Sequence, residues 1–148
     1  NFSRIYSETR KRLFELEVTG YTDGFPRQRI WGVKDTSRTA RMPDQPKYLA
    51  NVTLGYDYKG FSARLSYRYE SNKVAYIDRL PVLDQFTGTY QRWDLALKQQ
   101  LNNKLNIFAN LNNINQRKDR AFQGSELVNP TYIEHYGFTM DMGVRFQF

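Results

Sequence analysis

The chain has no cysteine among its 148 residues and a single histidine, His135. The first absence excludes a disulfide framework, a thiolate metal site and a cysteine nucleophile. The second leaves any metal site to carboxylates alone. In Glu134-His135-Tyr136-Gly137 there is no serine two residues away for the imidazole to activate, so His135 is expected to be an ordinary strand-end or loop residue. No catalytic residue, metal or cofactor is expected, and the chain is not expected to be an enzyme. Long apolar runs are lacking too: nothing approaches the roughly 20 residues of a transmembrane helix. The chain opens Asn1-Phe2-Ser3-Arg4, without an initiator Met or the basic and apolar regions of a signal peptide, which reads as the cut end of a longer or processed chain.

Charge and aromatic rings are plentiful. Lys+Arg number 22 against 15 Asp+Glu, a formal net charge of +7, which favours nucleic acid, anionic lipid or an anionic ligand as partner. Eleven Tyr, ten Phe and two Trp exceed what one small core needs, and Tyr and Trp suit places that are apolar at one end and wet at the other.

Period-two alternation organises the sequence. In residues 48–58, Tyr48, Ala50, Val52, Leu54, Tyr56 and Tyr58 alternate with Leu49, Asn51, Thr53, Gly55 and Asp57. Lys59-Gly60 makes a tight turn, after which Phe61, Ala63, Leu65, Tyr67 and Tyr69 face away from Ser62, Arg64, Ser66, Arg68 and Glu70. The same rhythm predicts strands over 61–73, 90–101, 105–113 and 132–148, with the tail of another over 1–9; Asn102-Asn103-Lys104 closes one more hairpin. The connections alternate in length. Short turns at one end contrast with long loops over 10–47, 76–89 and 114–131, the asymmetry of outer-membrane barrels with short periplasmic turns and long outer loops.

One face of these strands carries Arg64, Arg68, Glu70, Arg92, Asp94, Lys98, Asp141 and Arg145, so it is not a dry core. The apolar face then needs cover, and no amphipathic helix of useful length supplies it. A soluble antiparallel sheet with one solvated face is the competing fold. Dimensions favour lipid: Tyr48 to Tyr56, at about 3.3 Å per residue and a tilt near 40°, spans about 20 Å of a band about 25 Å tall. Tyr56, Tyr58, Phe61, Phe146 and Phe148 then mark the periplasmic rim, and Tyr48, Tyr69, Trp93 and Tyr136 the outer one. The expected fold class is all-β, a transmembrane antiparallel barrel. Six strands are too few to close one, since the smallest have about eight, so the remaining wall must come from residues outside this sequence.

Particular segments carry a family likeness. They are Met42-Pro43-Asp44-Gln45-Pro46, Asn51-Val52-Thr53-Leu54-Gly55-Tyr56, Lys59-Gly60-Phe61-Ser62 with Arg64-Leu65-Ser66-Tyr67, and Asp94-Leu95-Ala96-Leu97. Phe108-Ala109-Asn110-Leu111-Asn112-Asn113-Ile114 and Gly143-Val144-Arg145-Phe146-Gln147-Phe148 complete the set. In this order and spacing they resemble the C-terminal end of TonB-dependent outer-membrane receptors, and Asn1 to Thr9 is similar to the preceding strand of that pattern.

The resemblance implies the last six strands of a barrel of about 22, active uptake of a scarce nutrient (siderophore, haem, cobalamin, glycan or peptide), and a location in the bacterial outer membrane with the C-terminus on the periplasmic side. It also implies an upstream plug and a TonB box through which the TonB complex would act. Phe148 is similar to the terminal aromatic signal read by the barrel-assembly machinery. A passive porin or structural barrel, and a soluble β-sheet binding module, are the alternatives.

Residues 10–47 hold nine basic residues against five acids, with Tyr21, Phe25 and Trp31 interleaved. Arg forks match carboxylates and phosphates, so Arg27, Arg29, Trp31 and Arg38 are the candidate ligand contacts, although the same charges suit a solvated loop facing lipopolysaccharide phosphates. Outer-membrane lipid and lipopolysaccharide are the expected surroundings. Nucleic-acid binding is the soluble reading of these charges, and the strand alternation argues against it.

Overall fold

A computed structural model describes residues 1–124 and 128–147 of the chain. It is all-β and antiparallel, with no α-helix among the described residues. The strands are β1 (Phe2–Arg4), β2 (Glu8–Tyr21), β3 (Arg29–Arg41), β4 (Tyr48–Tyr58), β5 (Phe61–Glu70), β6 (Lys73–Tyr76), β7 (Gln85–Thr87), β8 (Tyr90–Gln100), β9 (Leu105–Asn112), β10 (Lys118–Gln123), β11 (Asn129–His135) and β12 (Thr139–Phe146). A single 3-10 turn, Pro81–Leu83, precedes β7.

Six strands form the main sheet in the order β1-β4-β5-β8-β9-β12. The sheet is open, with β1 and β12 as its edges. Register turns alternation into rows. Leu54, Leu65, Leu95, Leu111 and Met140 stand opposite one another across five strands, and Tyr56, Ala63, Leu97, Ala109 and Met142 form the next row. The opposite face carries Thr53, Ser66 and Asp94 in one row and Gly55, Arg64, Ala96, Asn110 and Asp141 in another. Within β9, Phe108 is the one large apolar side chain on that polar face. Gly143 opposite makes room for it, since a Cβ there would stand 2.7 Å from the ring.

Turn chemistry fixes one end of the sheet. Lys59 and Gly60 both have positive φ (45° and 79°), the backbone of a tight hairpin turn whose twist matches the flanking strands. At the next hairpin the Asn102 side chain accepts hydrogen bonds from the amides of Lys104 and Leu105, both at 2.9 Å, a local Asx arrangement.

At the other end the connections fold into structure of their own, which the sequence reading did not anticipate. The expected loop 10–47 is largely the β2–β3 hairpin, paired from Glu8↔Arg41 to Tyr21↔Arg29. The expected loops 76–89 and 114–131 contribute β7, β10 and the start of β11 to a second sheet, ordered β11-β10-β7-β6. That crown rises from the main sheet. Accordingly the expected strand 61–73 ends at Glu70, and the expected strand 1–9 reduces to β1 before β2 begins. The expected strand 132–148 divides, because Gly137 takes φ 58° and a left-handed residue cannot continue a ladder. β11 therefore joins the crown while β12 pairs β9.

The dry interior lies wholly outside the main sheet. Among the described residues the buried aliphatic and aromatic side chains are Leu13, Val74, Ile77, Phe86 and Phe122, and the last four form one cluster in the crown with Ala40 of β3 packed on it. The main sheet's apolar rows are uncovered: Leu54 is 64% exposed, Met142 66% and Val144 64%.

Candidate ligand-binding cleft

A cleft of about 500 Å³ opens where the crown meets the polar face of the main sheet. Its floor is set by register, since Glu70 ends β5 directly opposite Tyr90 at the start of β8. Its wall is one face of the crown, where Asp119 pairs with Glu134, Ala121 with Tyr132 and Thr87, and Thr87 with Lys73.

Arg117 joins floor to wall. Ahead of it, Asn113 and Gln116 take positive φ (56° and 48°). The buried Asn113 receives the Arg117 amide on its Oδ1 at 2.9 Å, and its own amide donates to Asp94 Oδ1 at 2.9 Å. So held, the guanidinium donates through both terminal nitrogens to the Asp119 carboxylate, one of them at 2.7 Å. Its carbon lies 4.0 Å from the centre of the Tyr90 ring and 5.8 Å from that of Tyr136, a cation–π arrangement. Arg68 approaches the same Tyr90 ring at 5.4 Å while bonding Glu70.

Two further rings share one carboxylate. The hydroxyls of Tyr132 and Tyr136 both donate to Oε2 of Glu134. The Tyr132 bond, then the Tyr136 bond, holds the Glu134 carboxyl below its ordinary range. In return the carboxylate pushes the Tyr132 phenol up to about 12 and raises that of Tyr136. Each phenol therefore keeps its proton and its donor role at neutral pH. The charges lining the cleft cancel, Lys73, Arg117 and Arg120 against Glu70, Asp119 and Glu134.

The candidates from residues 10–47 do not converge on one site. Arg38 faces the crown from β3, its Nη1 2.8 Å from Asp84 Oδ2 and its Nη2 2.6 Å from Asp84 Oδ1 and 2.6 Å from the Asp78 carbonyl. Burial alone pushes the Asp84 carboxyl up, but Arg38, the Asp78 amide and Lys11 together hold it below its ordinary range. Arg38 is thus an anchor of the hairpin, not a free ligand contact. Arg29 opens β3 opposite Tyr21 and Trp31 stands opposite Val18, while Arg27 is exposed in the connecting loop. Nine residues of strand, about 30 Å, separate Arg29 from Arg38. His135 ends β11 opposite Lys118, and Phe148 lies outside the described residues.

On the polar face most charges are matched nearby: Arg64 with Asp57, Arg68 with Glu70 and Arg92 with Asp94, while Asn110 donates to Asp141 at 2.7 Å. Sequence reasoning missed Tyr90, Arg117, Asp119, Tyr132 and Glu134 as a group. The available signal was the alternation Arg117-Asp119-Ala121 and Tyr132-Glu134-Tyr136 inside a segment read as loop and strand end.

No protein family, curated protein or solved structure matches the chain.

Proposed function

We propose that this chain is part of the wall and outer vestibule of a TonB-dependent receptor in the bacterial outer membrane, a carrier for active nutrient uptake. One observation carries the membrane half of that reading: among the described residues the main sheet contributes no buried apolar side chain, yet aligns rows of Leu, Met, Val and Tyr in which Leu54, Tyr56, Met140, Met142 and Val144 stand exposed. In water such a face is costly at about 25 cal/mol per Å². Against lipid it is at home. β4, with 11 residues, reaches about 25 Å along the membrane normal at the usual rise and tilt, the height of the apolar band. Backbone groups on open edges cannot be left unsatisfied in hydrocarbon, so further strands must pair with β12 and with the part of β4 beyond β1.

The transport half rests on the resemblance, most of whose segments fall on β4, β5, β8, β9 and β12, with residues 42–46 in the connection before β4, and on the crown, which supplies a polar cleft at the long-connection end. In intact cells the full protein should fractionate with the outer membrane and cross-link to TonB. A barrel in the outer membrane that never cross-links favours the passive channel, and recovery as a folded detergent-free monomer contradicts the membrane reading altogether.

A further inference from the structure

We infer that the cleft around Tyr132, Tyr136 and Glu134 binds a neutral, polyhydroxylated ligand of the oligosaccharide class. The inference deepens the receptor reading, in which this cleft belongs to the outer vestibule. Three features of the cleft select that chemistry.

The first is a pair of rings fixed in place. Tyr132 and Tyr136 are 50% and 53% exposed, yet both hydroxyls are tied to the same Glu134 oxygen, so the rings offer flat apolar surface at small cost in side-chain freedom. The C–H faces of sugar rings fit such surfaces. The second is the polar rim. Among the described residues Glu134 Oε1 receives no hydrogen bond, and Lys73 and Arg120 line the same cleft, so acceptors and donors both stand beside the rings, as ligand hydroxyls require.

The third feature decides the charge. Three tyrosines around a carboxylate would ordinarily suit a cation, but the cation is already present. Arg117 lies over Tyr90 and within reach of Tyr136, neutralised by Asp119. A cationic ligand would meet Arg117, Arg120 and Lys73. An anionic one would meet Glu70, Asp119 and Glu134. With lining charges that cancel, a neutral ligand is the one the cleft repels least, and about 500 Å³ lies within the range of roughly 300–1,000 Å³ typical of small-molecule sites.

The test uses the full-length protein in detergent micelles, titrated with neutral α- and β-linked hexose and pentose oligosaccharides, with choline and citrate as charged probes. At least one oligosaccharide should bind, and Tyr132→Ala and Tyr136→Ala should each weaken it about tenfold, the loss of one stacking surface. Tyr132→Phe, which keeps the ring, should retain most of the binding and controls for misfolding. Absence of binding to every oligosaccharide by a folded protein overturns the inference. So does binding that survives both alanine variants, or a preference for choline or citrate that those variants abolish. If the sheet's apolar face proves to be covered by protein while an oligosaccharide still binds here, the receptor reading fails and this inference stands.

Discussion

Arg38 shows how far a single residue's role depends on partners distant in the chain. It stands out in the sequence as one of nine basic residues in a polar stretch, and its chemistry, a rigid fork suited to carboxylates, is legible there. Its partner is not, because Asp84 lies 46 residues away and the two meet only when β3 packs on the crown. With side chains 20% and 10% exposed, the pair is far from a surface ion pair. Arg38→Ala would leave Asp84 buried beside the Asp78 amide and Lys11 without its main counter-charge. The expected loss is about 3 kcal/mol of stability, read from denaturant unfolding of the full protein. Arg27→Ala in the exposed hairpin loop should change stability by less than about 0.5 kcal/mol. Equal effects of the two substitutions would contradict the anchoring role.

At the scale of elements, legibility follows the purity of the alternation. β4, β5, β8 and β9 lie where the sequence pattern places strands because each presents one apolar and one polar face over eight or more residues. In β2 the pattern is present, Phe14, Leu16 and Val18 alternating with Glu15 and Glu17. Its partner β3 mixes Trp31 and Val33 with Gly32, Lys34 and Asp35, and an irregularity between Val18 and Gly20 shifts the register, so the hairpin is obscured. Crown strands of three to seven residues are too short for periodicity to declare them, and tertiary pairing decides their course.

The hairpin's anchor also predicts a pH response. The Asp84 carboxyl is depressed on folding, so its contribution is present above the ordinary carboxylate value of about 3.9 and is lost as pH falls through the lower folded value. Amide protection factors, taken relative to the intrinsic exchange rate at each pH, should therefore fall in β2 and β3 on acidification below about pH 4, while those of β5 and β8 stay high. A uniform fall in all four strands would contradict a local, Asp84-linked release.

At the scale of the whole molecule, buried and exposed apolar side chains lie apart. Among the described residues the one dry cluster sits in the crown, at the end with long connections, whereas the largest sheet leaves apolar rows exposed on one face and keeps Arg, Asp, Asn and Ser on the opposite face. Sequence alone shows two unlike faces. Register adds the alignment of those faces into continuous rows, and the surroundings of the rows determine whether they meet lipid. That question has a direct measurement. The chain contains no native cysteine, so single cysteines at Leu54 and Met142 on the apolar face and at Ser66 on the polar face can be spin-labelled in the full protein after reconstitution into bilayers. Labels at 54 and 142 are predicted to be relaxed preferentially by oxygen, which concentrates in hydrocarbon, and the label at 66 by a water-soluble nickel chelate. Labels at 54 and 142 that respond to the nickel chelate, or to neither reagent because protein covers them, would contradict the membrane wall.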